Sequence, residues 1–193
     1  HSTCPLRTCT GSDPETCPWG NTRALLARVR RTPGRGRRGS PLVIPLAWDE
    51  VEALGLGRLE SDRPGTAVAR IVADSRDASE GDLFVALNTG TRFVDDARAC
   101  GAATLVPDDQ DAALAALASL VRGKSSARVV AVVGSAGKTS TKDILAALCA
   151  PHARTIAADR SLNNEIGLPL TVCRLEPDTE ILVTEMGMRG RGQ

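Results

Sequence analysis

The chain has 193 residues, 42% of them hydrophobic and 24% charged, with a formal net charge of +1. Those proportions are close to the average of soluble globular domains and exclude a disordered tail or a fibre. No apolar run approaches the roughly 20 residues of a membrane-spanning helix, and the first residues carry no apolar stretch of the secretory-signal kind.

The near-neutral total hides an asymmetry. Residues 1–40 hold eight arginines against Asp13 and Glu15, a balance of +6; residues 41–193 hold 16 basic groups against 21 acids, a balance of −5. Residues 31–41, RTPGRGRRGSP, contain only Arg, Gly, Pro, Ser and Thr, and such a composition cannot build a core. Segment 1–41 therefore reads as disordered, or as artefactual upstream translation. A third reading is an Arg-rich patch for nucleic acid, but no aromatic side chain is interleaved with these arginines to stack on bases, and no nucleic-acid partner is expected.

The six cysteines do not form a metal pattern. Cys4, Cys9 and Cys17 are spaced x4 and x7, and no second close pair follows to complete a zinc set. Cys100, Cys149 and Cys173 fall singly in apolar, helical-looking segments and are expected to be reduced, buried and non-catalytic, as in a cytoplasmic protein. His1 and His152 are the only histidines, so triads or metal sites built on several histidines have almost nothing to draw on.

From residue 42 onward the pattern becomes regular. Val68–Val72 and Leu83–Leu87 read as strands, with Asp74-Ser75-Arg76 and Glu80-Gly81-Asp82 turning the chain between them. Ala97–Gly101 reads as a helix end and Ala103–Val106 as another strand. Asp111 opens DAALAALASLVR, a helix with an acid at its positive pole and Arg122 near its end. Residues 123–126 read as a short linker. The expected class is thus α/β: a small α/β domain over 42–123, then a parallel-sheet phosphate-loop domain over 128–193.

The strongest signal is RVVAVVGSAGKTSTKDILAALC. Val129–Val133 has the continuous apolar character of a strand buried on both faces of a parallel sheet. Gly134-Ser135-Ala136-Gly137-Lys138-Thr139-Ser140 follows, and Asp143–Cys149 reads as helix. Glycines let the backbone curl until its N–H groups face phosphate oxygens, and a helix N-terminus adds positive potential at the same place. Lys138 can reach terminal phosphates and the Thr139 hydroxyl can take a position on Mg²⁺. The loop is shorter than G-x-x-x-x-G-K-[ST], because Val132 stands where that pattern has its first glycine; a Gly-Ser turn with a chance lysine is the competing reading. A neighbouring strand should end in an acid that helps hold the metal. Glu180-Ile181-Leu182-Val183-Thr184-Glu185 is such a segment and makes Glu185 that candidate, against an ordinary exposed strand-end glutamate. Asn163, Asn164 and Glu165 precede an apolar helix; they read equally as caps and as a polar substrate loop.

ADSRDASEGDLFVAL at 73–87, GSAGKTSTK at 134–142, LNNEIGLPLT at 162–171 and TEMG at 184–187 together resemble the Mur ligase family. The resemblance covers roughly residues 42–193. NNEIGLPLT points more narrowly to the member that joins D-alanyl-D-alanine to UDP-N-acetylmuramoyl-tripeptide; the member adding the third residue, or a non-catalytic nucleotide-binding module, are the alternatives. It implies a cytoplasmic ATP-dependent amide ligase, monomeric at full length and not inserted in a membrane, of which this chain is the front portion and inactive alone. An N-terminal domain would hold the UDP-sugar, through Ser75 and Arg76, whose fork suits a diphosphate. A central domain would bind ATP and Mg²⁺ through Gly134–Ser140, with Lys138 catalytic and Thr139 and Glu185 on the metal. Asn163, Asn164 and Glu165 would lie where nucleotide and substrate meet. One departure is LNTGTRFVDDA at 87–97, which keeps Phe93 but lacks the family's Gly-His turn.

Overall fold

The computed structural model describes residues 43–60, 65–159 and 164–187. All lie in the unit Arg35–Gln193, and both segment 1–41 and Asn163 fall outside the described residues.

Strand β1 (Leu46–Ala47) runs into helix α1 (Trp48–Ala53), whose Asp49 and Glu50 sit at its positive pole. Glu50 Oε2 accepts the Ala47 N–H at 2.8 Å and the Lys124 ammonium at 2.5 Å. Next come β2 (Gly57–Glu60), β3 (Ala67–Val68) and β4 (Ile71–Val72). The single strand expected over Val68–Val72 is thus two. Val68 pairs antiparallel with Leu46 of β1, whereas Ile71 and Val72 pair parallel with Leu83 and Phe84. The change of partner falls at Ala69 and Arg70, where Ala69 N–H donates to Gly81 and Leu83 N–H donates to Arg70. An apolar run shows no sign of such a switch, because both halves remain extended.

A 3₁₀ turn (Ser75–Asp77) leads to β5 (Leu83–Val85), every residue of which is buried. A second 3₁₀ stretch (Asn88–Phe93) and helix α2 (Val94–Ala99) return the chain to β6 (Ala103–Pro107). The first large sheet has the order β2-β6-β5-β4, parallel except for β2 against β6. Helix α3 (Gln110–Lys124) begins one residue before the expected Asp111 because Asp109 caps it, accepting the N–H groups of Asp111 and Ala112 at 3.0 Å each. It also runs through Gly123 and Lys124, two of the four expected linker residues.

The second sheet contains β7 (Arg128–Val132), β8 (Thr155–Ala157) and β9 (Ile181–Glu185), all parallel in the order β7-β9-β8. Helix α4 (Lys138–Cys149) follows β7, and α5 (Gly167–Val172) precedes β9. One apolar cluster joins Leu114, Leu117 and Val121 of α3 to Leu83, Val85 and Leu105 of the first sheet and to Leu175 and Leu182 of the second half. Each such side chain, fully buried, contributes on the order of 1.5–3 kcal/mol. Ile44 N–H donates to Leu175 at 2.7 Å, tying the start of the described chain to the same centre.

Two expectations about burial are corrected. Strand β7 is not covered on both faces: Val129 is 42% exposed and Val130 38%, and among the described residues β7 has a single neighbour, β9. Cys173 is buried as expected, but Cys149 is half-buried and Cys100 exposed. Cys100 forms the C-cap of α2, a surface position despite its apolar neighbours.

Candidate phosphate-binding site

The site grows from the carboxyl end of β7. Residues 133–137 connect that strand to α4, and Gly134 and Gly137 hold φ angles of +148° and +75°. Side chains rarely adopt such backbone, so these glycines are what lets the chain turn back over the start of the helix. Gly137 is the N-cap of α4, and its carbonyl receives the Thr141 N–H at 2.9 Å. The helix therefore starts at Lys138, five residues before the expected Asp143. Polar Lys138-Thr139-Ser140-Thr141-Lys142 lacks apolar periodicity, and the glycine cap, not patterning, makes it helical.

Ser135 and Ala136 lie exposed in the loop, and Ser140 is exposed on the first turn of α4. Lys138 folds back so that Nζ donates to the Gly134 carbonyl at 2.8 Å. The ammonium thus lies across the mouth of the loop, where an anion could take over its hydrogen bond. Thr139 and Glu185, 46 residues apart, are brought together: Thr139 Oγ1 donates to Glu185 Oε2 at 2.8 Å. Glu185 is only 2% exposed, which removes its reading as an ordinary surface glutamate. Strand pairing fixes its place, since Glu185 sits opposite Val132 at the last rung of β7 and β9 and Met186 N–H donates to Val132.

The same helix buries a residue that sequence reasoning passes over. Lys142 is 2% exposed, and its Nζ donates to the Ala158 carbonyl and to Asp143, each at 2.6 Å. Helix α4 is thereby fastened to the ends of both neighbouring strands, by Thr139 at β9 and by Lys142 at β8. The only sequence signal is spacing, because Lys142 stands four residues before the buried Ala146.

Asn164 and Glu165 are exposed. Asn164 Oδ1 accepts the Gly167 N–H at 2.8 Å, closing a turn ahead of α5, whose N-cap is Ile166. Ser75 and Arg76 lie away from these elements in sequence, in the crossover from β4 to β5. Asp74 caps their turn by accepting the Arg76 N–H at 3.0 Å, and it grips the Arg76 guanidinium through Nε at 2.9 Å and Nη2 at 2.5 Å. Those hydrogen bonds from the side chain, then the backbone, of Arg76 lower the Asp74 carboxyl from the usual 3.8 to about 2. Among the described residues no group of three or more His, Cys, Asp or Glu side chains could hold a metal by itself.

A parallel sheet whose strand runs through a glycine loop into a helix, with a hydroxyl and a buried carboxylate paired beside it, has the architecture of a phosphate-loop α/β fold. Residues 132–193 match the Mur ligase middle domain. Over 141 residues the chain is 37% identical to the UDP-N-acetylmuramoyl-tripeptide–D-alanyl-D-alanine ligase of Escherichia coli K12, a match covering 64% of this chain and 31% of that one. A solved structure of UDP-N-acetylmuramoylalanyl-D-glutamyl-2,6-diaminopimelate–D-alanyl-D-alanyl ligase from Acinetobacter baumannii superposes with a TM-score of 0.67 at 30% identity, covering 80% of this chain and 39% of that chain. The MurF ligase of Thermotoga maritima, solved in complex with ADP, gives a TM-score of 0.50 at 33% identity over 60% of this chain and 31% of its own. Residues 132–193 thus match a Mur ligase middle domain, and the described chain is similar to Mur ligases over most of its length. It spans about a third of the length of the curated relatives it matches.

Proposed function

We propose that this chain supplies the UDP-sugar-binding and phosphate-loop portions of a cytoplasmic ATP-dependent ligase of peptidoglycan precursor synthesis. That ligase joins D-alanyl-D-alanine to UDP-N-acetylmuramoyl-tripeptide and acts as a monomer at full length. Residues 42–123 form the UDP-substrate domain and residues 128–193 the first part of the ATP-binding domain. The observation that carries the reading is the pairing of Thr139 with buried Glu185 beside the Gly134–Gly137 turn, in a chain whose relatives bear that ligase name.

The chemistry follows from what these residues can do. A carboxylate oxygen of the tripeptide attacks the γ-phosphorus of ATP, ADP leaves, and an acyl phosphate forms. The amine of D-alanyl-D-alanine then attacks the acyl carbon, phosphate leaves, and the amide forms as the amine gives up its proton. Neither step needs a covalent nucleophile from the protein; both need phosphates held still and their charge balanced. Backbone N–H groups over Gly134–Ser140 and the positive pole of α4 hold the triphosphate. Lys138 exchanges the Gly134 carbonyl for a phosphate oxygen.

Thr139 and Glu185 present a hydroxyl and a carboxylate, the hard oxygen donors that Mg²⁺ prefers, and one carboxylate suffices for an ion that keeps waters and phosphates as its remaining ligands. When bound, Mg²⁺ neutralises charge on the transferred phosphoryl group. Ser75 and Arg76 hold the UDP moiety, Arg76 by exchanging Asp74 for the diphosphate. Asn164 and Glu165, together with Asn163, lie at the junction of nucleotide and substrate.

The test is a calorimetric titration of the chain with Mg·ATP. Lys138→Ala is expected to weaken binding at least about tenfold, the loss of one charge-assisted contact. No measurable binding by the wild-type chain, or equal binding by both, would overturn the proposal.

A further inference from the structure

The middle and the far end of the β4–β5 crossover are held by one side chain, that of Arg70. Arg70 precedes β4 and Asp82 precedes β5, so the pairing of Ile71 with Leu83 sets them opposite each other. Arg70 Nε donates to Asp82 Oδ1 at 3.0 Å and Nη2 to Oδ2 at 2.5 Å, the two-pronged geometry that only a guanidinium supplies. Asp82 is buried at 1% exposure, and its Oδ2 also accepts the Ser79 N–H at 3.0 Å. The same Nη2 of Arg70 donates to the Asp77 carbonyl at 3.0 Å.

Asp77 directly follows Arg76 and ends the turn that carries Ser75 and Arg76. That turn closes on itself through Asp74, which fixes its shape. Its attachment to the sheet is a separate matter, and Arg70 provides a side-chain link. We infer that Arg70, braced by buried Asp82, is a positioning residue that sets where Ser75 and Arg76 meet a uridine diphosphate. The inference rests on the reading of Ser75 and Arg76 given above. Arg70 touches no ligand in this scheme; it acts through the Asp77 carbonyl. A lysine keeps the positive charge but cannot span both carboxylate oxygens and the carbonyl with one planar group.

The experiment uses uridine 5′-diphosphate as the probe, titrated into the wild-type chain, R70K, D82N and R76A, with Mg·ATP titrated in parallel. Loss of one charge-assisted hydrogen bond corresponds to about a tenfold fall in UDP affinity for R70K. Its ATP affinity stays within about twofold of wild type, as for independent sites. D82N retains the shape of the side chain and shows a fall of the same sign should R70K fail to fold. The selective fall in UDP affinity is the readout that a purely structural role would not give, and amide hydrogen exchange shows where the change lies. Asp77 and Ala78, whose N–H groups bond to Asp74 and Ser75 within the turn, exchange about tenfold faster in R70K, while Phe84 and Leu105 of the sheet keep their rates.

Equal UDP affinity in R70K and wild type would overturn the role of Arg70. So would parallel losses of UDP and ATP affinity, or faster exchange throughout the sheet. If the wild-type chain binds no UDP, or R76A binds it unchanged, the reading of the Ser75–Arg76 turn itself falls, a result distinct from the failure of R70K alone.

Discussion

Thr139→Val tests the proposed metal pair most directly, because valine matches threonine in shape and replaces only the hydroxyl. In the free chain that hydroxyl donates to Glu185 Oε2 at 2.8 Å, and the carboxylate is 2% exposed. A hydrogen bond to a charged group contributes about 1.5–3 kcal/mol, and a buried acceptor that loses its donor keeps its desolvation cost. Thr139 is itself only half-buried, which places the expectation at the lower end, about 1.5 kcal/mol. For a chain of this size each kcal/mol moves the midpoint of thermal unfolding by about 2–4 °C, so T139V melts roughly 3–6 °C below wild type. T139S restores the donor and most of the difference. Calorimetric melts of the three proteins measure this arm. The second arm is ATP affinity with and without Mg²⁺: wild type gains from the ion, T139S keeps the gain, and T139V loses most of it. If T139V melts with wild type, the hydrogen bond does not stabilise the chain. If it keeps the full Mg²⁺ gain, Thr139 is not a metal ligand.

The Asp74 carboxyl is held near 2 by its hydrogen bonds with Arg76, so its folded value lies below its unfolded one. The stabilisation from the Asp74–Arg76 pair is therefore fully present above the ordinary carboxylate range and is lost as pH falls from about 4 through about 2; carbon chemical shifts of Asp74 should titrate near 2, and a midpoint near 3.8 would refute the pairing. Burial pushes the Cys173 thiol up to about 12, whereas Cys100 is exposed. With iodoacetamide at pH 8 and mapping by mass spectrometry, Cys100 is alkylated in the folded chain and Cys173 only on unfolding; early labelling of Cys173 would contradict its placement in the core.

The phosphate loop was legible because its signal is local and ordered. An apolar strand, two glycines, a lysine and a hydroxyl follow one another within a dozen residues, and each has one physical role. Glu185 was legible for a related reason, since an acid closing an apolar run marks the carboxyl end of a strand. Lys142 and the Arg70–Asp82 fork were not. A lysine in a helix reads as solvated unless its partners are known, and its partner here is the backbone carbonyl of Ala158. Arg70 and Asp82 stand 12 residues apart with no periodic relation, and only the parallel pairing of β4 with β5 makes them neighbours. The switch of sheets at Ala69 and Arg70 escaped for the same reason, because extended backbone looks alike whichever strand it pairs with.

The miss at β7 carries a different lesson. Val129–Val133 reads as a strand enclosed on both faces; the strand forms over Arg128–Val132, but Val129 and Val130 stay exposed, as does Val133 just beyond it. Ile144 at 57% and Leu148 at 64% exposure leave a similar apolar surface on α4. Among the described residues β7 pairs on one side only; an open edge beside exposed valines is a template for association with another strand, and natural domains blunt such edges with charge, proline or cover. The β7 segment has Arg128 at its start and no other charge through Val133. Its pattern therefore specifies an environment richer in cover than the described residues supply, while the loop that β7 feeds is already formed: Gly134 and Gly137 hold their turn, and Thr139 meets Glu185. The turn is held by β9 and the first turn of α4 rather than by whatever covers the outer face of β7, so its shape was legible where the burial of its own strand was not.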